Sequence, residues 1–211
     1  ESGEGFDRIG LSLMGKQVEL LKALYATGRP VVLVMVQGRP LELNWAAEHI
    51  PAILTTWYPG GEGGRAIADV LFGDYNPAGR LPLSYPRHVG QLPVYYNHKS
   101  AERHDYVEGT AAPLYPFGFG LSYTTFVYEG IDVRVEGDSV RVSVDVKNVG
   151  GRAGDEVVQL YLRDEQASVV TPFMQLKAFQ RVHLTSGESR RVEFVLTEEH
   201  LRVLDTSLNW R

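Results

Sequence analysis

Hydrophobic positions along the chain change period twice. In the first third, Val18, Leu21 and Tyr25 recur at helical spacing and are followed by Gly28 and Pro30, which predicts a helix over about 15–26. Next comes Val31-Val32-Leu33-Val34-Met35-Val36, apolar at every position. Such a run suits a strand covered on both faces, as in a parallel sheet flanked by helices. A second helix is expected over 41–48 and a second buried strand over 52–55. A third helix over 65–72 has Ala66, Ile67, Val70 and Leu71 on one face, and Gly73 stops it. From 74 to 116 the periodicity is lost in a stretch broken by Pro77, Pro82, Pro86, Pro93, Pro113 and Pro116. Beyond it the period becomes two: Val140, Val142, Val144 and Val146 alternate with Arg141, Ser143, Asp145 and Lys147. Asn148-Val149-Gly150-Gly151 supplies a turn, and further strands are expected over 156–162, 175–184 and around Val192, Phe194 and Leu196. The Thr171-Pro172 pair reads as the start of a strand.

These patterns predict α/β followed by all-β: a partial three-layer α/β sandwich with a mostly parallel sheet, then an immunoglobulin-like antiparallel β-sandwich. Residues 1–85 form the α/β part, 86–125 a long interdomain connection, and 126–211 the sandwich. Two parallel strands do not make a covered sheet, and about five antiparallel strands fall short of the usual seven. The chain is therefore expected to be a portion of something longer, cut at its start and also at its end.

Composition narrows the function. The 211 residues carry a formal net charge of −5, with no cluster of Lys and Arg, which argues against nucleic acid as a partner. No apolar run approaches the ~20 residues of a membrane-spanning helix. With no cysteine, disulfides, thiolate catalysis and cysteine-bound zinc are excluded.

Candidate chemistry concentrates at the first residues, Glu1-Ser2-Gly3-Glu4-Gly5-Phe6-Asp7-Arg8. Glu4, flanked by glycines that permit unusual backbone angles, suits a loop that presents a carboxylate. Asp7 and Arg8 read as a local ion pair that shapes this loop. The Gly60–Gly64 run before a helix lacks the Gly-Lys-Ser/Thr ending of a phosphate loop, and Glu62 would repel a phosphate, so a tight strand-to-helix turn is preferred. His88, His98 and His104, with Asp105 and Glu108, lack the helical spacing of a metal motif, and neither metal nor cofactor is expected. Trp57 reads as packing beneath the adjacent turn. Tyr95, Tyr96 and Tyr106 could equally stack on sugars or pack internally.

Five segments taken together resemble glycoside hydrolase family 3, the β-glucosidases and related exo-acting glycosidases. They are Ser2-Gly3-Glu4-Gly5-Phe6-Asp7-Arg8; Trp57-Tyr58-Pro59-Gly60-Gly61-Glu62-Gly63-Gly64 running into Ala68-Asp69-Val70-Leu71-Phe72-Gly73; Asn76-Pro77-Ala78-Gly79-Arg80-Leu81-Pro82; Tyr115-Pro116-Phe117-Gly118-Phe119-Gly120-Leu121-Ser122-Tyr123-Thr124; and Gly154-Asp155-Glu156-Val157-Val158-Gln159-Leu160-Tyr161. The resemblance implies a catalytic barrel carrying a nucleophilic aspartate, an α/β domain that lends the general acid/base, and a fibronectin type III-like domain. It places Glu4 at the acid/base position and implies hydrolysis of terminal β-linked sugars from oligosaccharides or glycosides with retention. No segment here resembles the barrel, so the chain alone is expected to be inactive, with the barrel as its partner. The resemblance favours a periplasmic or secreted protein over a cytoplasmic one. The alternative reading is a non-catalytic carbohydrate-binding or scaffolding module.

Overall fold

A computed structural model describes residues 5–6, 8–99 and 104–210, and the chain divides into two compact units. The first takes residues up to Tyr75 together with Pro82–Tyr95 and His104–Phe117; the second takes Asn76–Leu81, Tyr96–Arg103 and Gly118–Arg211.

In the first unit the order is α1 (Gln17–Ala26), β1 (Val32–Met35), α2 (Asn44–His49), β2 (Ala52–Thr55) and α3 (Gly63–Phe72). Strands β1 and β2 pair in parallel, Val32 opposite Ala52 through Met35 opposite Thr55. Gly73, at φ 84°, ends α3 in the left-handed conformation that glycine adopts without steric cost. Helix α3 begins at Gly63, two residues before the alignment of apolar side chains predicts, because the glycine turn itself supplies its first residues. A Cβ at Gly63 would come within 2.6 Å of the Pro59 ring.

Leu11, Leu21, Met35, Leu41, Leu43, Ala46, Ile50 and Tyr85 are buried here. Of the three α1 positions expected to face the core, only Leu21 is buried. Tyr25 packs instead edge-on to Trp45 and His49, whose rings stack at 4.5 Å. Strand β1 is not covered on both faces: Val32 is 49% exposed, and Val36, just past the strand, is 61% exposed.

The second unit contains the β-sandwich: β3 (Phe126–Glu136), β4 (Ser139–Asn148), β5 (Gly154–Leu162), β6 (Gln175–Leu184) and β7 (Ser189–Thr197), closed by α4 (Glu198–Leu201). A three-stranded antiparallel sheet, β3-β4-β7, accompanies a two-stranded one, β5-β6. Thr171-Pro172 does not open a strand; Pro172 makes an isolated bridge to Lys99, and β6 begins at Gln175. Alternation does set the core: Val146, Val158, Val182, Leu184, Val192 and Phe194 form one buried cluster.

Asn148 closes one corner of this sandwich with no exposed surface. Its Nδ2 donates to the carbonyls of Arg152 (2.8 Å) and Leu184 (3.0 Å), and its Oδ1 accepts from the Thr124 hydroxyl (2.7 Å) and the Gly150 amide (3.0 Å). All four hydrogen-bonding positions of the amide are used.

In the β6–β7 turn, Glu188 accepts from the Thr185 amide at 2.8 Å, from Arg190 at 2.8 Å and from the Thr185 hydroxyl at 3.0 Å. These bonds, the backbone one foremost, lower its pKa from 4.5 to about 2. A carboxyl depressed by folding stabilises the native state above its unfolded pKa, and that contribution disappears as pH falls through the folded value. Glu188→Gln is therefore expected to flatten the stability profile between pH 4.5 and about 2. Urea midpoints measured across that window for both proteins check this; parallel profiles would contradict it.

Among the described residues, no helix is long and apolar enough to cross a membrane.

Candidate functional site

Open α/β sheets bind ligands beyond the carboxyl ends of their strands, and the first unit gathers polar groups there. Gln37 follows β1, and Thr55 ends β2 beside Thr56 and Trp57. The Gln37 amide donates to the Trp57 carbonyl at 3.3 Å, while Thr56 donates to the Met35 carbonyl through both its amide (2.9 Å) and its hydroxyl (3.0 Å). Gln37 Nε2 donates to the Thr55 hydroxyl at 3.1 Å and to the Tyr85 phenol. The Thr55 and Tyr85 hydroxyls lie 3.2 Å apart.

Tyr85 is 2% exposed. Burial pushes its phenol above the ordinary value, against smaller opposing effects of the bonds from Thr55 and Gln37, so it stands neutral rather than as a phenolate nucleophile. Among the described residues, Gln37 Oε1 is buried without a hydrogen-bond partner. An acceptor left this way costs about 1–3 kcal/mol. Trp57 holds the left-handed φ of 53° and leans its ring on Tyr85 at 6.3 Å between centroids, which agrees with packing at the turn.

Next to this trio runs a groove of about 520 Å³, walled by Leu20, Leu24 and Val32 and including Arg8, Gln37 and Arg39. Its lining holds no carboxylate among the described residues. Glycoside hydrolysis needs two carboxyl groups, so the groove by itself does not complete that chemistry.

Glu4, the proposed acid/base, lies outside the described residues, as does Asp7. Beside them Gly5 has φ 76°, a conformation open to glycine, and Arg8 donates to the Ser12 carbonyl at 2.6 Å.

The histidines lie in separate surroundings. His88 packs edge-on to Tyr106, and His98 stacks on Phe173. Among the described residues, no three of His, Asp and Glu converge on a metal-sized site. Of the loop tyrosines, Tyr96 accepts from the Leu176 amide and packs against Tyr161, and Tyr106 donates to the Gly90 carbonyl. Both make internal contacts, while Tyr106 keeps 40% of its surface exposed.

Sequence reasoning missed the Gln37–Thr55–Tyr85 trio. Its one local sign is that Gln37 is the first polar residue after six apolar ones.

The family model described as "Glycosyl hydrolase family 3 C-terminal domain" matches residues 1–123, and "Fibronectin type III-like domain" matches 156–211. A β-xylosidase of Formosa agariphila is 46% identical over 98% of this chain and 30% of its own length. A periplasmic β-glucosidase of Salmonella typhimurium is 43% identical over 98% of this chain and 29% of its own. Among solved structures, a β-glucosidase of Erythrobacter marinus superposes with a TM-score of 0.93 at 47% identity, covering 97% of this chain and 28% of that one. The Listeria innocua β-glucosidase in complex with glucose gives 0.93 at 39% identity, over 99% and 31%. The chain thus spans about 30% of the length of the relatives it matches.

Proposed function

This chain belongs to glycoside hydrolase family 3, and on that premise we propose that it is the C-terminal portion of a retaining, exo-acting β-glycosidase of the β-glucosidase type. Its substrate class is glycosides and oligosaccharides ending in a β-linked sugar, glucose or xylose. The observation that carries this reading is the near-complete match of the chain to enzymes of that kind, with the Ser-Gly-Glu-Gly segment inside the matched range.

In the proposed reaction an aspartate on a separate barrel attacks the anomeric carbon while Glu4 protonates the departing glycosidic oxygen. Glu4, now a carboxylate, then takes a proton from the water that hydrolyses the glycosyl-enzyme, so each inversion is undone by the next and configuration is retained. Without the nucleophile the two-step route is closed. Residues 1–211 alone are expected to give no turnover of an aryl β-glucoside, whereas the full-length enzyme gives a first-formed product of β configuration by proton NMR. Hydrolysis by residues 1–211 at a rate near that of the full-length enzyme, or an α product, would overturn the proposal.

A further inference from the structure

Apolar packing does not hold the chain between Gly5 and Leu11: Phe6 and Ile9 are 81% and 100% exposed. Among the described residues Leu11 is the first buried one, and its carbonyl accepts from the Glu42 amide at 2.9 Å. Glu42 is fixed in turn. Leu41 and Leu43 on either side of it are buried, and its carboxylate accepts from the Val89 amide at 2.8 Å.

One side chain carries this fixed point back toward Gly5. Arg8 Nη2 donates to the Ser12 carbonyl at 2.6 Å and so closes residues 8–12 into a loop around the buried Leu11. A guanidinium donor makes this a charge-assisted bond, about twice as strong as a neutral one. Arg8 also lines the groove together with Gln37, which follows β1, and Tyr58, which lies beyond β2. The latch therefore stands at the carboxyl ends of both strands, the side on which open α/β sheets place ligands. All of these residues belong to the first unit.

Glu4 is four residues before Arg8 and seven before Leu11. At ~3.5 Å per residue, a chain held at Arg8 keeps Glu4 within about 14 Å of its anchor, whereas one held only at Leu11 allows about 25 Å. The acid and the nucleophile of a retaining glycosidase must come within about 5 to 5.5 Å of each other. An error of about 1 Å at a reacting group costs up to about 10²-fold in rate.

Resting on the acid/base reading of Glu4 above, we propose that Arg8 is a positioning residue for the reaction: its bond to Ser12 shortens the tether of Glu4 and so places the carboxyl at the glycosidic oxygen. In this role Arg8 touches no substrate and transfers no proton. Its effect is confined to the steps in which Glu4 gives or takes one.

The test is the ratio of kcat/KM for a methyl β-glycoside to that for the dinitrophenyl glycoside of the same sugar, measured on the full-length enzyme. Loss of folded protein lowers both values alike and leaves the ratio unchanged, whereas a misplaced acid harms only the substrate whose leaving group needs a proton. Arg8→Met, which keeps an apolar stem but has no donor, should lower the ratio about tenfold or more. Arg8→Lys, which retains a charged donor, should recover most of it; equal impairment in the two variants overturns the proposal. Glu4→Gln is the control. If it leaves the ratio unchanged, the acid/base reading fails and the role of Arg8 fails with it. If Glu4→Gln lowers the ratio and Arg8→Met does not, the latch alone is overturned and the reading of Glu4 stands. Should Arg8→Met fail to fold, Arg8→Gln, too short to bring a donor to Ser12, is read on the same ratio with the same two outcomes.

Discussion

Glu4→Gln in the full-length enzyme is expected to lower kcat by about 10²-fold or more on alkyl or oligosaccharide substrates, whose leaving groups need a proton. Glutamine keeps the shape and hydrogen-bonding reach of glutamate but has no proton to give and none to take back. A dinitrophenyl glycoside leaves without protonation, so its first step should survive and the second step should become limiting, with a burst of phenolate. Azide attacks without a general base; adding it should restore turnover on the activated substrate and yield a β-glycosyl azide. The position of Glu4 in the Ser-Gly-Glu-Gly segment motivates the assignment. Unchanged rates on alkyl glycosides, or a loss that azide leaves unaltered, would remove Glu4 from the acid/base role.

The largest stability effect is expected at Asn148. Its replacement by alanine leaves the Leu184 carbonyl and the Thr124 hydroxyl, both in buried surroundings, without the partners they have now. Each orphaned group costs about 1–3 kcal/mol. The carbonyl of Arg152 and the amide of Gly150 lie nearer to solvent and can turn to water. The sum is about 3 kcal/mol, which lowers Tm by roughly 12–24 °C in a domain of the size of the sandwich. Thermal unfolding followed by circular dichroism reads it directly, and a shift under about 1 kcal/mol would show that the corner is organised by its backbone alone.

How much of this was legible beforehand varied with the range of the interactions. Strand β2 emerged at the boundaries its pattern predicts, as did β6, because a short apolar run and a plain alternation each carry their own period. Strand β3 was not read at all. Its side chains facing the β4 valines are Phe126 and Tyr128 before the bulge, but Val133 and Val135 after it. The irregularity between Glu129 and Asp132, beside Gly130 at φ 60°, moves the row that shares a face with the β4 valines from even to odd positions, and Tyr128, Val133 and Val135 on that row stay exposed, so neither period nor burial marks the strand.

Trp57, Glu62 and the glycine run read correctly as a turn because turn chemistry is local. The Gln37–Thr55–Tyr85 trio joins residues 18, 30 and 48 apart. In the second unit, the Arg80–Glu156 salt bridge joins residues 76 apart. No spacing rule reaches that far. The motifs around Arg80 and Glu156 were recognised as family marks without any sign that they pair.

The groove beside β1 has a practical side for anyone purifying residues 1–211 by themselves. Leu20, Leu24, Val32 and Val36, 61%, 46%, 49% and 61% exposed, make a greasy stripe beside a sheet of only two strands. Stripes of this kind drive self-association, and sulfate or phosphate at high concentration strengthens the attraction. Salting-out steps and concentrated stocks would therefore work against the isolated polypeptide, while dilute, low-salt handling would favour a monodisperse sample.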